Sequence, residues 1–240
     1  MDVIKLESVN STNSYSKLHI DDLVDGSVVY AIEQTSGRGR LNRSWVDLGK
    51  GNLFMSIVLK PSDKFDDIYS NLTQYLSVCL CRVLETYNIY PQIKWPNDVL
   101  INGKKIAGIL SEAVMQGGGK CKGIILGIGV NLNAKQSDLD EIPDKIATSL
   151  NIEINQNVGL ETFLTKLTDE FFKNYNEFLS EGFNSIKDEY LKRNCFLGRE
   201  LDIQIFDKIE NGLAKSVTDN GELVLLKNDK ELVLTIGDIL

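Results

Sequence analysis

A chain of 240 residues, 42% hydrophobic and 25% charged, has the composition of an ordinary globular protein, with room for one large domain or one domain and a small appendage. A formal net charge of −8 argues against general nucleic-acid binding. No stretch approaches the ~20 apolar residues of a membrane span.

The chain opens with Val3-Ile4-Lys5-Leu6-Glu7, which alternates as a short strand. Asp2, Lys5 and Glu7 interrupt any apolar leader, so the protein is expected in the cytoplasm. Residues 8–13 read SVNSTN, a polar turn able to cap a helix starting near Ser14. Ser11, Thr12 and Asn13 carry two readings: that cap, or a set of hydroxyl and amide groups aimed at a polar ligand. Capping chemistry alone prefers the cap. His19 is the only histidine, so a zinc cluster or a Ser-His-Asp triad has little to draw on, and it reads as a surface residue.

Residues 28–32 read as a buried strand, and the sequence QTSGRGRLNRSW at 34–45 hangs from its end as a basic loop. Gly37 and Gly39 let backbone amides approach an anion closely. Arg38, Arg40 and Arg43 offer planar forks of donors that suit phosphate or carboxylate. Trp45 adds a flat face on which a ring can stack. Against the acidic background, this local cluster favours a small anionic ligand over a long polyanion. For the loop alone, a solvated turn or a disordered RNA-binding segment is the alternative.

Residues 52–59 (NLFMSIVL) are strand-like and end at Pro61. Ile68, Leu72, Leu76, Cys79, Val83 and Tyr87 recur at helical spacing and predict one apolar face of a long helix covering a sheet. Cys79, Cys81, Cys121 and Cys195 lack metal-ligand spacing and are expected as buried, reduced thiols. Residues 93–132 predict an antiparallel meander of three strands, at 93–101, 105–110 and 124–132, with turns at Asn102-Gly103 and Gly117-Gly118-Gly119. Pro96 cannot donate to a ladder, so Lys94-Trp95-Pro96-Asn97-Asp98 marks a break or an edge. Asp98 and Lys105 fall on adjoining strands where their side chains can meet, as a surface ion pair or as part of a site.

Segment 133–157 is polar, with Ala147-Thr148-Ser149-Leu150 as its only apolar anchor. Leu160, Leu164, Leu167, Phe171, Tyr175 and Phe178 predict a second amphipathic helix, and after Gly182 a short helix follows at 186–191. Beyond residues 195–198, four short strands at 201–205, 212–217, 222–226 and 231–234 form an all-β appendage. The predicted class is α+β: a mixed, largely antiparallel sheet with helices in residues 1–194, and a small β domain in 195–240.

Taken together and in order, several of these stretches resemble the biotin–protein ligases over nearly the whole chain. They are Ser11-Thr12-Asn13, QTSGRGRLNRSW at 34–45, KWPND at 94–98, KKIAGIL at 104–110, GIGVN at 127–131 and ATSL at 147–150, with Gly198-Arg199 and Asp219-Asn220-Gly221 in the tail. Lipoate ligases share that catalytic fold but look different in the loop that here reads GRGR. The resemblance implies a class II synthetase-like catalytic domain and a C-terminal SH3-like β-barrel. Many relatives carry a winged helix-turn-helix ahead of the first strand. This chain begins at that strand, so a monofunctional ligase without the DNA-binding domain is expected.

The implied reaction has two steps. Biotin's carboxylate attacks the α-phosphate of ATP to give biotinyl-5′-AMP and pyrophosphate, and a carrier-protein lysine then displaces AMP. By resemblance, Lys105 bridges the biotin carboxylate and the α-phosphate, Arg38 and Arg40 grip the phosphates, and Arg43 supports the loop. Trp45 stacks on adenine and Asn131 reads its edge. Ser11, Thr12, Asn13, Gln34, Gly37 and Gly108 complete a biotin site with Arg38 and Lys105, which overrules the cap preference for Ser11 and Thr12. Asp98 orients or deprotonates the incoming lysine, or holds Mg²⁺ through water. That Mg²⁺ is expected to ride on the ATP phosphates, with no protein cage of its own. The implied acceptor is a biotin carboxyl carrier protein, the acetyl-CoA carboxylase subunit. No nucleic-acid or membrane partner is expected, and a homodimer through an exposed sheet edge stays open. Two alternatives stand beside the ligase: a biotin-dependent regulator acting through DNA or protein contacts, and a lipoate or octanoate transferase on the same fold.

Overall fold

Apolar strand segments rich in Val, Ile and Leu need a partner layer, and here the helices and a second sheet supply it. The computed structural model of the chain describes residues 2–49, 51–61, 67–142 and 146–240. In chain order it begins with β1 (Val3–Val9), α1 (Thr12–Leu18), β2 (Val28–Gln34), the two-residue strands β3 (Gly37–Arg38) and β4 (Ser44–Trp45), β5 (Leu53–Leu59) and α2 (Leu72–Glu85). Next come β6 (Gln92–Lys94), β7 (Asp98–Ile101), β8 (Lys104–Gln116), β9 (Lys120–Val130), α3 (Gln136–Leu139), α4 (Leu150–Ile154), α5 (Leu160–Lys173), α6 (Tyr175–Glu181) and α7 (Lys187–Lys192). The chain closes with β10 (Glu200–Ile205), β11 (Lys208–Val217), β12 (Leu223–Lys227), β13 (Lys230–Leu234) and β14 (Asp238–Ile239).

Seven strands form one sheet in the order β1-β2-β5-β9-β8-β7-β6, parallel only between β1 and β2. This is the mixed, largely antiparallel sheet that the sequence predicts. The tail forms a five-stranded antiparallel sheet in the order β13-β12-β11-β10-β14. It is consistent with a small SH3-like domain, though its strand order runs open. Its fifth strand escaped the periodicity because β14 is only two residues long, pairing Gln204 with Asp238 and Ile203 with Ile239.

The meander at 93–132 also has one strand more than expected. β6 and β7 pair antiparallel, with Ile93 opposite Val99 and Lys94 opposite Asp98, so the chain reverses at 95–97 instead of running on through a break. Trp95 leaves the ladder there to become core. It is buried, its Nε1 donates to the Gly221 carbonyl at 3.2 Å, and the Trp95–Pro96 peptide is cis.

Helix α2 is buried on nearly every side, where the sequence promised a single apolar face. The sheet lies against one flank, and α5 and α7 lie against the others. Cys79 and Cys81 are therefore both fully buried, two positions apart, and burial pushes the Cys79 thiol up to about 12. Cys121 and Cys195 are only half-buried, so the expectation of four buried thiols holds for two; all four are free. The helix predicted over Leu160 to Phe178 is two helices, broken at Asn174. There the Tyr75 hydroxyl from α2 donates to the Phe171 carbonyl at 2.6 Å, the group that an unbroken helix would offer to Tyr175. In segment 133–157, of which 143–145 lie outside the described residues, Leu139 is a second apolar anchor, buried with Leu48 and Ala134.

One hydrophobic core runs from the large sheet through α2 and α5 into the tail, where Ile203, Ala214, Leu223 and Leu225 belong to it. The Asp219-Asn220-Gly221 turn docks on the start of α2. Asn71 Nδ2 donates to the Asn220 carbonyl at 2.8 Å and Gln74 Nε2 to the Gly221 carbonyl at 2.7 Å. Gly221 has φ +78°, and a Cβ there would fall 2.5 Å from Asn71 Nδ2, so only glycine fits. Among the described residues no helix is long and apolar enough to cross a membrane.

On the far side of α2, Arg82 bonds Glu170 at 2.9 Å and Glu189 at 2.5 Å, and Arg193 bonds Glu85 at 2.8 Å and Glu189 at 3.0 Å. The hydrogen bonds from Arg82 hold the Glu189 carboxyl below the ordinary range, against the upward push of burial and with help from the Arg193 charge. A carboxyl depressed in the folded state stabilises the fold above its unfolded pKa of about 4.3 and loses that contribution as pH falls through the folded value. Urea midpoints should therefore drop between about pH 5 and pH 3, and Arg82→Met should make the drop shallower. Equal slopes in the two proteins would remove the Arg82–Glu189 pair from the account.

Candidate active site

Three glycines on β8 and β9 clear the floor of the site. Gly108 pairs with Gly129 and Leu110 with Gly127. A Cβ on Gly129 would lie 2.4 Å from Trp45 Cε2, one on Gly108 2.8 Å from Trp45 Cζ3, and one on Gly127 2.0 Å from Asn13 Oδ1. Without side chains at these positions, Trp45 and Asn13 lie directly on the strands. The space left between them is a cavity of about 530 Å³, within the range that holds a small-molecule ligand.

One end of the cavity is polar and buried. Ser11 is the N-cap of α1 and accepts from the Ser14 amide at 3.4 Å, so the helix starts at Thr12, two residues before its expected start. Thr12 and Asn13 occupy the first turn with their side chains turned into the protein. The Thr12 amide donates to Gln34 Oε1 at 2.9 Å, Ser56 Oγ lies 2.8 Å from Thr12 Oγ1, and Asn13 Nδ2 donates to Glu112 Oε2 at 2.9 Å. Both readings of this turn thus hold, since Ser11 caps the helix while Ser11, Thr12, Asn13 and Gln34 all line the cavity. Gly37 does not line it. A Cβ there would meet the Trp45 carbonyl at 2.2 Å and Gln34 Nε2 at 2.7 Å, so its part is to let β3 and β4 pass closely.

The other end is cationic. Arg38, Arg40, Arg43, Lys94 and Lys105 line the cavity against two carboxylates, Asp98 and Asp238, a positive excess inside a chain of net charge −8. Lys105 Nζ bonds Asp98 Oδ1 at 2.6 Å and lies 5.5 Å from the centre of the Trp45 ring. Asp98 stands opposite Gly108 on β8, and that missing side chain opens the path from Lys105 across to it. The ATSL stretch straps the backbone of Lys105: its amide donates to the Ile146 carbonyl at 2.9 Å, and the Thr148 amide donates to its carbonyl at 2.9 Å. The Thr148 carbonyl in turn accepts from Asn131 Nδ2 at 3.0 Å, which holds Asn131 in the cavity wall.

The basic loop is tied down by acids and carbonyls far away in the chain. Arg38 pairs with Glu112 at 3.2 Å. Arg40 donates to Asn97 Oδ1 and to the Gly237 carbonyl, both at 3.2 Å, and lies 3.5 Å from Asp238. Arg43 pairs with Asp238 at 3.2 Å and donates to Gln204 Oε1 at 2.9 Å. The Trp45 Nε1–H is buried with no hydrogen-bond partner among the described residues, so packing and the Lys105 charge hold the indole. All of the predicted site residues except Gly37 therefore converge on one cavity. Glu112, Ser56, Asn97 and Asp238 were missed. Only Glu112 left a trace in the sequence, as an acid inside the apolar run IAGILSEAV.

The comparisons with known proteins agree with this geometry. The model of the biotin/lipoate A/B protein ligase family matches residues 5–131, which include the glycine floor, the basic loop and Lys105. The chain is 32% identical over 207 residues to the bifunctional ligase/repressor BirA of Bacillus subtilis, covering 85% of this chain and 63% of that protein. Over 230 residues it is 30% identical to the biotin–[acetyl-CoA-carboxylase] ligase of Paracoccus denitrificans, covering 92% of each. It spans less than two thirds of the first Bacillus relatives, 63% and 62% of their length. Its fold superposes on the biotin protein ligase of Aquifex aeolicus, solved in complex with biotin and ATP, with a TM-score of 0.81, 26% identity and coverage of 100% of this chain and 97% of that one. Motifs, floor and fold lead to one assignment: the chain belongs to the biotin/lipoate A/B protein ligase family.

Proposed function

We propose that this chain is a biotin–protein ligase that forms biotinyl-5′-AMP from biotin and MgATP and passes biotin to a lysine of a biotin carboxyl carrier protein. The observation that carries the reading is the single cavity with two unlike ends, a buried amide and hydroxyl set around Thr12, Asn13 and Gln34 and a cationic end around Lys105. A ring with polar edges and a carboxylate tail fits such a cavity end to end. We infer that Lys105 lies between the biotin carboxylate and the α-phosphate, which lets two anions approach each other. A carboxylate oxygen attacks the α-phosphorus, the bond to the bridging oxygen of the β-phosphate breaks, and pyrophosphate leaves under Arg38 and Arg40. Positioning and charge neutralisation supply the rate.

In the second step the lysine amine attacks the acyl carbon and AMP leaves. Lys105 engages Oδ1 of Asp98, and we assign Oδ2 to the amine's departing proton. Trp45 and Asn131 are read as the adenine contacts, with Arg43 supporting the loop. Mg²⁺ enters with ATP. We take residues 1–194 as the catalytic domain and 195–240 as the C-terminal domain, and the free cysteines support a reducing, cytoplasmic setting.

Purified protein with biotin and MgATP, and no acceptor, should release pyrophosphate and retain biotinyl-adenylate detectable by mass spectrometry. Adding a carrier domain should then add the mass of one biotinyl group. An adenylate from lipoate and none from biotin would assign the chain to the lipoate side of its family. Biotin binding without pyrophosphate release would make it a sensor.

A further inference from the structure

Neither Glu112 nor Ser56 lines the cavity, but both bond residues of its polar end. Glu112 stands on β8 with its side chain 15% exposed. It takes hydrogen bonds from Lys17 at 2.5 Å and Asn13 Nδ2 at 2.9 Å, and pairs with Arg38 at 3.2 Å. Burial pushes its carboxyl up, but the bonds from Lys17 and Asn13 and the charges of Lys17 and Arg38 outweigh that and leave it below the ordinary range. It is a carboxylate at neutral pH and can only accept. Asn13 must therefore turn its NH₂ to Glu112 and its Oδ1 to Ser56.

Ser56 is fully buried, with Oγ 2.6 Å from Asn13 Oδ1 and 2.8 Å from Thr12 Oγ1. Asn13 Oδ1 has no proton to give, so the one serine proton goes to it. Of the two acceptors within reach of the Thr12 proton, Ser56 Oγ at 2.8 Å and Gln34 Oε1 at 3.4 Å, the nearer then takes it. Thr12 lines the cavity, and its Oγ1 is left with lone pairs only for a ligand. Beside it, Gln34 Oε1 is taken by the Thr12 amide at 2.9 Å, which leaves the Gln34 NH₂ as a donor.

We propose that Glu112 is a positioning residue that, through Asn13 and Ser56, orients the Thr12 hydroxyl as an acceptor, so that the cavity selects a ligand presenting a ring N–H at that point. The proposal rests on the biotin reading and deepens it, since a cyclic urea carries both the N–H and the carbonyl that such a pair would meet. A dithiolane carries neither. It also separates two jobs of one carboxylate, because Glu112 reaches Arg38 directly and Thr12 only through the relay.

The test is calorimetric binding of biotin, of biotin methylated on its ring nitrogens, and of MgATP to wild type, Glu112→Gln and Ser56→Ala. Ser56→Ala cuts the relay but keeps the Glu112–Arg38 pair. In both variants the Kd for biotin should rise about tenfold, and the preference for biotin over its methylated analogue should fall by about the same factor. The Kd for MgATP should stay within about twofold in Ser56→Ala and rise only in Glu112→Gln, which also frees Arg38. An unchanged preference in folded Ser56→Ala overturns the proposal while leaving the ligase reading in place. So does a loss of affinity for biotin and MgATP together with a lower melting temperature. Wild type that binds no biotin overturns both.

Discussion

Lys105→Ala is expected to abolish adenylate formation from biotin and MgATP, with the single-turnover rate of pyrophosphate release falling by at least roughly 10²–10³. In the proposed reaction a carboxylate meets a phosphate, and Lys105 is the cation assigned to the space between them. Its Nζ is 2.6 Å from Asp98 and 3.2 Å from where a Cβ of Gly108 would stand, so it hangs over the glycine floor. The loop arginines are held instead by Glu112, Asn97 and Asp238. Removing the lysine also leaves Asp98, 21% exposed, without its partner and facing the incoming anions. Biotin binding at the Thr12 end should survive, which separates lost chemistry from lost folding. If Lys105→Ala still forms adenylate at more than a tenth of the wild-type rate, the central role belongs to another cation.

Asn52→Ala is expected to remove about 3–5 kcal/mol of stability, a large share of what holds an ordinary domain together. Asn52 Oδ1 accepts from three successive backbone amides, Leu132 at 2.9 Å, Asn133 at 3.0 Å and Ala134 at 3.1 Å, and its Nδ2 donates to the Gly49 carbonyl at 3.1 Å. The residue is 1% exposed, and Leu132 and Ala134 are buried with it, so water has little access to the orphaned donors. Each unsatisfied buried group costs about 1–3 kcal/mol, and three are created at once. The loss would read out as a lower urea midpoint at unchanged slope. Because these amides follow Asn131 directly, MgATP affinity should weaken as well. Asn52→Asp keeps the acceptor and should recover most of the stability. A loss below about 1 kcal/mol for Asn52→Ala would mean that the turn finds other partners.

Local chemistry made much of this protein legible. The alternation in β1, the apolar run of β5, the Asn102-Gly103 turn and the four longer strands of the tail were readable, because periodicity and turn residues act over a few neighbours. Strand β11 nonetheless starts at Lys208 and runs through Asn211 and Gly212, ahead of its expected start at 212. In the site, the arginines at 38, 40 and 43 stand out by type, while Lys105 and Gly108 were found through the family resemblance and the floor glycines 127 and 129 were not singled out. Where local rules failed, a partner distant in sequence was responsible. Trp95 was drawn into the core by a turn at Gly221, which reversed the chain at 95–97, and the helix after Leu160 was broken where Tyr75 reaches Phe171. Asn52 reads as the first residue of a strand until the amides of residues 132–134 arrive around it.

The sequence by itself thus determined the fold class, the family and the cationic side chains at 38, 40, 43 and 105 that line the cavity. The tertiary structure alone decided which acids hold those groups. Glu112 reaches Asn13 across 99 positions and the Gly237 carbonyl reaches Arg40 across 197, and no periodicity spans such intervals. A side chain's type is written at its own position. Its counter-ion, and with it the direction in which its protons point, exists only once the sheets have closed around it.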